Sequence, residues 1–244
     1  MFTVDLQIWL NHFEYHAQHP RRIAEDLSDI LTASERTRIA RSIATFQLGE
    51  QSEGRTLLRA AKHFAERHGI STLGRIVELL IREEQRHAAV LQRFMVDHGI
   101  ALRHTDWTDR VFRRVRRLAG LELYLNVLIS AELIGNVYYR ALEAATMCQR
   151  LRVLCRTLVS DELAHVGFES ELLLALRARR GFLARKLTRS AHRIFFAGAA
   201  TVVWLTHRTV LRHAGFSRVA FMRACFAQYA FYLESAVVAL APSL

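Results

Sequence analysis

EEQRH at residues 83–87 and DELAH at residues 161–165 place one charged cluster twice in the chain. Each holds two adjacent acids and a histidine, with the second acid and the histidine three residues apart: Glu84 with His87, and Glu162 with His165. Both sit inside apolar helical patterns. Around the first, Leu73, Val77, Leu80, Glu84, His87, Leu91 and Phe94 follow steps of three and four, which keep one helix face inward. Around the second, Leu151, Cys155, Leu158, Glu162, His165 and Glu169 do the same. The acid and the histidine of each cluster are therefore expected to face the core. Burying an unpaired carboxylate costs roughly several kcal/mol, so two such sites call for a shared compensating charge.

The spacing predicts their partners. A third stripe, Leu125, Leu128, Glu132, Gly135, Tyr139 and Leu142, carries Glu132 as its inward acid, 30 residues before Glu162. With a turn near Met147, an antiparallel pair brings Glu132 and Glu162 level, about 22 Å from the turn at the α-helical rise. The first long segment repeats the arrangement. Its stripe runs Phe46, Glu50, Glu53, Leu57, Ala60 and Phe64, and Glu53 precedes Glu84 by 31 residues about a midpoint at His68–Gly69. Glu53 is the preferred match, with Glu50, one turn away on the same face, as the rival. Four inward carboxylates and two imidazoles at one level form an oxygen-rich donor set suited to two iron or manganese ions.

The rest of the chain fits long helices. There are 244 residues, two prolines and eleven glycines, and 51% of residues are apolar, enough for a sizeable core. The pattern predicts a short helix over about 4–18, whose His12 and His16, four apart, could bind a surface metal but are expected to be plain solvent-exposed histidines. A first long helix opens at the capping box TASE (Thr32–Glu35) and runs unbroken to His68, before Gly69. A second covers about 72–98. A third, capped at Asp106 or Thr108 and bending near Gly120, runs to about 146. A fourth covers about 149–180. Two more follow over about 182–213 and 217–240. No linker interrupts them, so residues 1–244 read as a single all-helical domain with a bundle core at about 33–180 and a C-terminal helical hairpin at about 182–240.

One Glu from each of two helices with Glu-x-x-His from each of two others resembles the ferritin-like di-iron carboxylate superfamily, over roughly residues 35–180. The fold class is thus all-α: a ferritin-like four-helix bundle with a short N-terminal helix and two additional C-terminal helices. The resemblance implies metal ligands and catalytic residues at Glu53 (or Glu50), Glu84, His87, Glu132, Glu162 and His165. It implies a cofactor of two iron ions, with manganese or a mixed Fe/Mn pair as variants. It also implies that Asp161 bonds the far nitrogen of His87 and Glu83 that of His165, which fixes each ring's tautomer and raises its basicity. EEQRH further resembles the first Glu-Glu-x-Arg-His motif of soluble acyl-carrier-protein desaturases, although DELAH lacks the arginine. Asn136, four residues after Glu132, stands where some multicomponent monooxygenases have threonine. Tyr139 lies on the metal face about 10 Å along the helix from Glu132. Both are pocket candidates, although packing alone accounts for a core tyrosine. The ribonucleotide reductase radical tyrosine would fall at Leu91.

The function implied is a di-metal oxidoreductase that activates dioxygen to oxidise, hydroxylate or desaturate a hydrophobic organic substrate, small or carrier-bound, with an external electron donor. Two alternatives stand beside it: ferritin-like iron oxidation or peroxide removal at the same site, and a non-enzymatic basic helical adaptor. The net charge of +11 favours acidic partners, and a nucleic acid or membrane surface stays open, as does a homodimer. Cys148, Cys155 and Cys225 form no CxxC, which suits a reducing compartment. The opening MFTVDLQIWLNHFEYH lacks a basic leader region. A cytoplasmic, or membrane-peripheral, location is therefore expected.

Overall fold

The computed structural model describes residues 4–21, 29–51, 54–104 and 120–235. Among them are eight helices and no strand: α1 (Leu6–Gln18), α2 (Ala33–Glu50), α3 (Arg55–His68), α4 (Thr72–Asp97), α5 (Leu121–Ala144), α6 (Gln149–Ala178), α7 (Phe182–His213) and α8 (Arg218–Leu233). The bundle is formed by α4, α5, α6 and the α2–α3 segment. α5 packs along α6, α4 touches α6, and both α2 and α3 lie on α4. α1 lies on α4 outside this core, while α7 and α8 pack against α5 and each other.

The helix boundaries have local causes. The expected capping box is present: Thr32 Oγ1 accepts from the Glu35 amide, and the Thr32 amide donates back to the Glu35 carboxylate at 3.0 Å. Glu35 also accepts from Thr146 Oγ1 at 3.0 Å and from the Met147 amide at 2.7 Å, which ties the start of α2 to the α5–α6 turn. Burial opposes its ionisation, but these hydrogen bonds hold its carboxyl down at about 2. Residues 105–119, where Asp106 and Thr108 were expected to cap the third helix, lie outside the described residues.

One expectation fails. The segment expected to run unbroken from Thr32 to His68 is two helices, with α2 ending at Glu50 and α3 starting after Gly54. Gly54 has φ +61°, and a Cβ there would meet Ile81 side-chain atoms at 2.5–2.8 Å. Glycine thus serves both the left-handed backbone and the close approach to α4. The apolar stripe continues across the break, so periodicity gave no sign of it.

Two buried polar knots attach α7 to the bundle. Ser42 Oγ on α2 meets Tyr138 OH on α5 at 2.8 Å and His207 Nδ1 on α7 at 2.7 Å. Arg177 on α6 donates to Asn126 Oδ1 at 2.6 Å and lies 2.7 Å from His192 Nδ1, while His192 Nε2 lies 2.9 Å from Ser130 Oγ. Among the described residues α7 is the one helix long and apolar enough to cross a membrane, yet Phe196, Ala200, Trp204, Val210 and Leu211 on its inner side are buried in the bundle.

Candidate metal centre

The two short motifs converge at mid-bundle. Glu84, Glu132, Glu162 and His165 each offer one donor atom, all within 4.8 Å of one another. His87 completes the group, with Nδ1 3.3 Å from Glu162 Oε1 and 3.7 Å from Glu84 Oε1. His165 Nδ1 is 2.8 Å from Glu84 Oε1 and 3.4 Å from Glu162 Oε2. The imidazole rings lie 5.7 Å apart at 27°. Three helices meet here because each carries its acid on the inward stripe, and the α5–α6 turn sets Glu132 level with Glu162.

The opposite edges of the rings are fixed across the bundle. His87 Nε2 lies 3.2 Å from Asp161 Oδ2, and His165 Nε2 lies 3.1 Å from Glu83 Oε2. The acid beside each Glu-x-x-His thus holds the histidine of the other helix, in the crossed pattern the resemblance implies. Arg86 clamps the pair, donating to Glu83 Oε1 at 2.6 Å and to Asp161 Oδ2 at 3.2 Å. Arg21 Nε adds a contact to Asp161 Oδ1 at 3.2 Å. These two acids therefore meet both a histidine and an arginine.

The inner nitrogens and oxygens are left over. His87 Nδ1, His165 Nδ1, Glu84 Oε1, Glu162 Oε2 and both oxygens of Glu132 are buried without a hydrogen-bond partner. Buried polar atoms are rarely orphaned, so six at one spot mark a place built for another ligand. The electrostatics agree. Burial, then Glu169, Glu162 and Glu84, push the Glu132 carboxyl well above its ordinary range. Burial, then Glu84 and Glu162, do the same to Glu50. Burial opposes ionisation of Glu162, but the two histidines hold it at about 2. Burial works against charge on His87 too, yet Asp161 and Glu162 beside it raise it to about 10. This concentration of acid is the field a divalent cation neutralises, and carboxylate and imidazole donors suit iron and manganese.

Glu50 ends α2 beside this cluster. The residue is only partly buried, but its carboxyl accepts from Tyr139 OH at 2.6 Å and feels Glu84 and Glu162. Glu53, the preferred first-segment ligand, lies outside the described residues. The break after Glu50 removes the continuous helical register on which its 31-residue count rested. Tyr139 lines a cavity of about 170 Å³ whose wall also includes Glu50, Glu84, Glu132 and Glu162. The remainder is mainly apolar, with Phe46, Leu57, Leu80, Tyr124, Leu128 and Val203 among its residues. Asn136 is buried with both amide atoms unpartnered and is not among the cavity-lining residues.

Three features escaped the sequence reading. Glu169 is buried, both its carboxyl oxygens are unpartnered, and it faces Glu132; its place on the α6 stripe after His165 was the available signal. α1 belongs to the site's surroundings, because Phe13 lies against His165 with ring centroids 5.9 Å apart and Trp9 Nε1 donates to Glu171 Oε2 at 2.8 Å. His12 and His16 were expected in solvent but are partly buried. His16 Nδ1 lies 4.0 Å from Glu83 Oε1, and burial followed by His16 lowers His12 to about 4.

No established sequence family matches the chain, and no curated protein matches it. Solved structures do. Two tyrosine-to-phenylalanine mutants of an R2-like ligand-binding oxidase, each with an anaerobically reconstituted Mn/Fe cofactor, superpose with TM-scores of 0.63 and 0.64 at 16% and 15% identity. Each match covers 95% of this chain and 93% of the other. The likeness extends beyond the four-helix core, and it shows a shared ferritin-like fold.

Proposed function

We propose that this protein is a di-metal oxidase that uses dioxygen to oxidise an apolar organic substrate. One observation carries the reading: six buried donor atoms of Glu84, Glu132, Glu162, His87 and His165 point at one another without partners, while the far nitrogens of both imidazoles are held by carboxylates. Glu84, His87, Glu132, Glu162 and His165, with Glu50 or Glu53, would hold two iron ions or an Mn/Fe pair. Such a pair, when bound, supplies the one-electron redox steps that let dioxygen be reduced.

The chain's own residues do the rest. Asp161 and Glu83 keep the far nitrogen of each imidazole as the N–H donor, so the inner nitrogen is the lone-pair donor. Arg86 donates to both carboxylates and holds them in place. Leu57, Leu80, Tyr124 and Leu128 line the cavity beside the acids, exclude water and favour an apolar substrate group. That wall separates this reading from iron oxidation or storage, which needs no apolar chamber. The mixed-metal cofactor of the structural neighbours supports Mn/Fe as well as Fe/Fe. The reductant is external, and the three free, buried cysteines suit a cytoplasmic location.

The test is elemental analysis of protein expressed with both metals available, followed by oxygen uptake with medium-chain aliphatic probes. About two metals per chain and probe-dependent uptake with an oxidised organic product are expected. Protein that retains no stoichiometric metal after anaerobic loading, or that turns over Fe(II) or peroxide with no organic product, refutes the proposal.

A further inference from the structure

From Leu172 to Leu233 the sequence contains no aspartate or glutamate and eleven arginines and lysines. That equals the formal net charge of +11, so the α7–α8 hairpin and the end of α6 carry the whole excess while the remainder of the chain is neutral. Among the described residues, the same quarter of the chain holds half of the exposed large apolar side chains. The densest group opens α7, where Phe182, Leu183, Leu187 and Ile194 are 69–78% exposed. Leu183, Leu187, Ile194 and Leu205 follow steps of four, seven and eleven, which align them in one stripe. Lys186, Arg189 and Arg193 form an exposed basic line beside it. Arg193 is paired with Glu234 at 2.6 Å, and Lys186 and Arg189 have no carboxylate partner among the described residues.

We infer that this outer face of α7 docks on an anionic phospholipid membrane. An apolar stripe flanked by cations is the pattern of a helix lying in the plane of a lipid interface, with aliphatic groups among the acyl chains and ammonium or guanidinium groups at the phosphates. The alternatives fit less well. A symmetric dimer would set this patch against its own image and oppose the like charges of Lys186 and Arg189, since Glu234 is already taken by Arg193. A nucleic acid would satisfy the basic line and leave four aliphatic or aromatic side chains in water. The inner side of the same helix contributes Val202, Val203 and Thr206 to the cavity wall, which puts the docking face and the apolar chamber on opposite sides of one helix. The docking inference does not rest on the metal centre.

The experiment is vesicle flotation of the intact protein with phosphatidylcholine alone and with phosphatidylcholine containing phosphatidylglycerol. Binding to the anionic vesicles, absence from the neutral ones and release by salt are expected. Leu183→Ser/Leu187→Ser/Ile194→Ser and Lys186→Gln/Arg189→Gln should each weaken vesicle binding at least about tenfold. All five side chains are exposed, so circular dichroism and Tm should stay unchanged. The inference is overturned by no binding to either vesicle, by equal binding to both, or by anionic binding that survives the triple serine variant. It is equally overturned if duplex oligonucleotide strips the protein from vesicles, or if light scattering finds a dimer that the serine variant dissociates.

Discussion

His87 and Asp161 meet across the bundle, Nε2 to Oδ2 at 3.2 Å, although they lie 74 residues apart on different helices. Glu83 and His165 repeat the contact in the opposite sense at 3.1 Å. Each Glu-x-x-His helix therefore steadies the imidazole of the other. Asp161→Asn keeps the shape but removes the charge that orients and strengthens His87 as a donor. Metal affinity should fall by roughly 10–100-fold, with a smaller further loss in the double variant with Glu83→Gln than two independent effects would give. Competition against a metal-sensitive dye measures this without reference to turnover.

Glu50 and Glu53 can be separated directly. The Glu50 carboxyl faces Glu84 and Glu162 and is held by Tyr139. Glu50→Gln should therefore bind less metal per chain than Glu53→Gln, as read by elemental analysis of both proteins. The reverse order would restore Glu53 as the first-segment ligand.

Gly54 joins α2 to α3 at positive φ with Ile81 against it. Gly54→Ala should cost about 1–3 kcal/mol, from backbone strain and displacement of Ile81, seen as a lower Tm. Because the break lies next to Glu50, metal binding should weaken as well. An alanine variant with unchanged Tm would show that an unbroken helix is accessible.

His192 gives a pH signature. Burial, then Arg177, lower its pKa from 6.5 to about 3, so the folded protein holds it neutral. The unfolded chain takes up its proton below about 6.5, and the folded chain resists until about 3. The stability contributed by this depressed group is complete above pH 6.5 and is lost as pH falls through that window. Chemical denaturation of the native protein should weaken between pH 6.5 and 3, and His192→Asn should flatten that part of the profile. Equal slopes would remove His192 as the cause.

Much of this was legible in the chain. Steps of three and four placed Glu84, His87, Glu132, Glu162 and His165 on inward faces, and the distance of each acid from a turn set Glu132 level with Glu162. The Thr32–Glu35 capping box and the Gly69 stop were readable because such signals act within one turn of helix. The break at Gly54 was not, because it depends on Ile81 of another helix. The same holds for α1, whose Phe13 lies on His165 although nothing in its own pattern names that partner.

The sequence by itself determined the periodicity that makes these helices, the faces on which their acids lie, and a basic excess concentrated in residues 172–233. Those are properties of residue order at helical spacing. Only the tertiary structure decided that Arg86 bridges Glu83 and Asp161, where the first long segment breaks, that Glu169 stands beside Glu132, and that an apolar chamber opens next to the acids. Each of these depends on contacts between residues far apart in the chain, and local spacing carries no information about such contacts until the helices are packed.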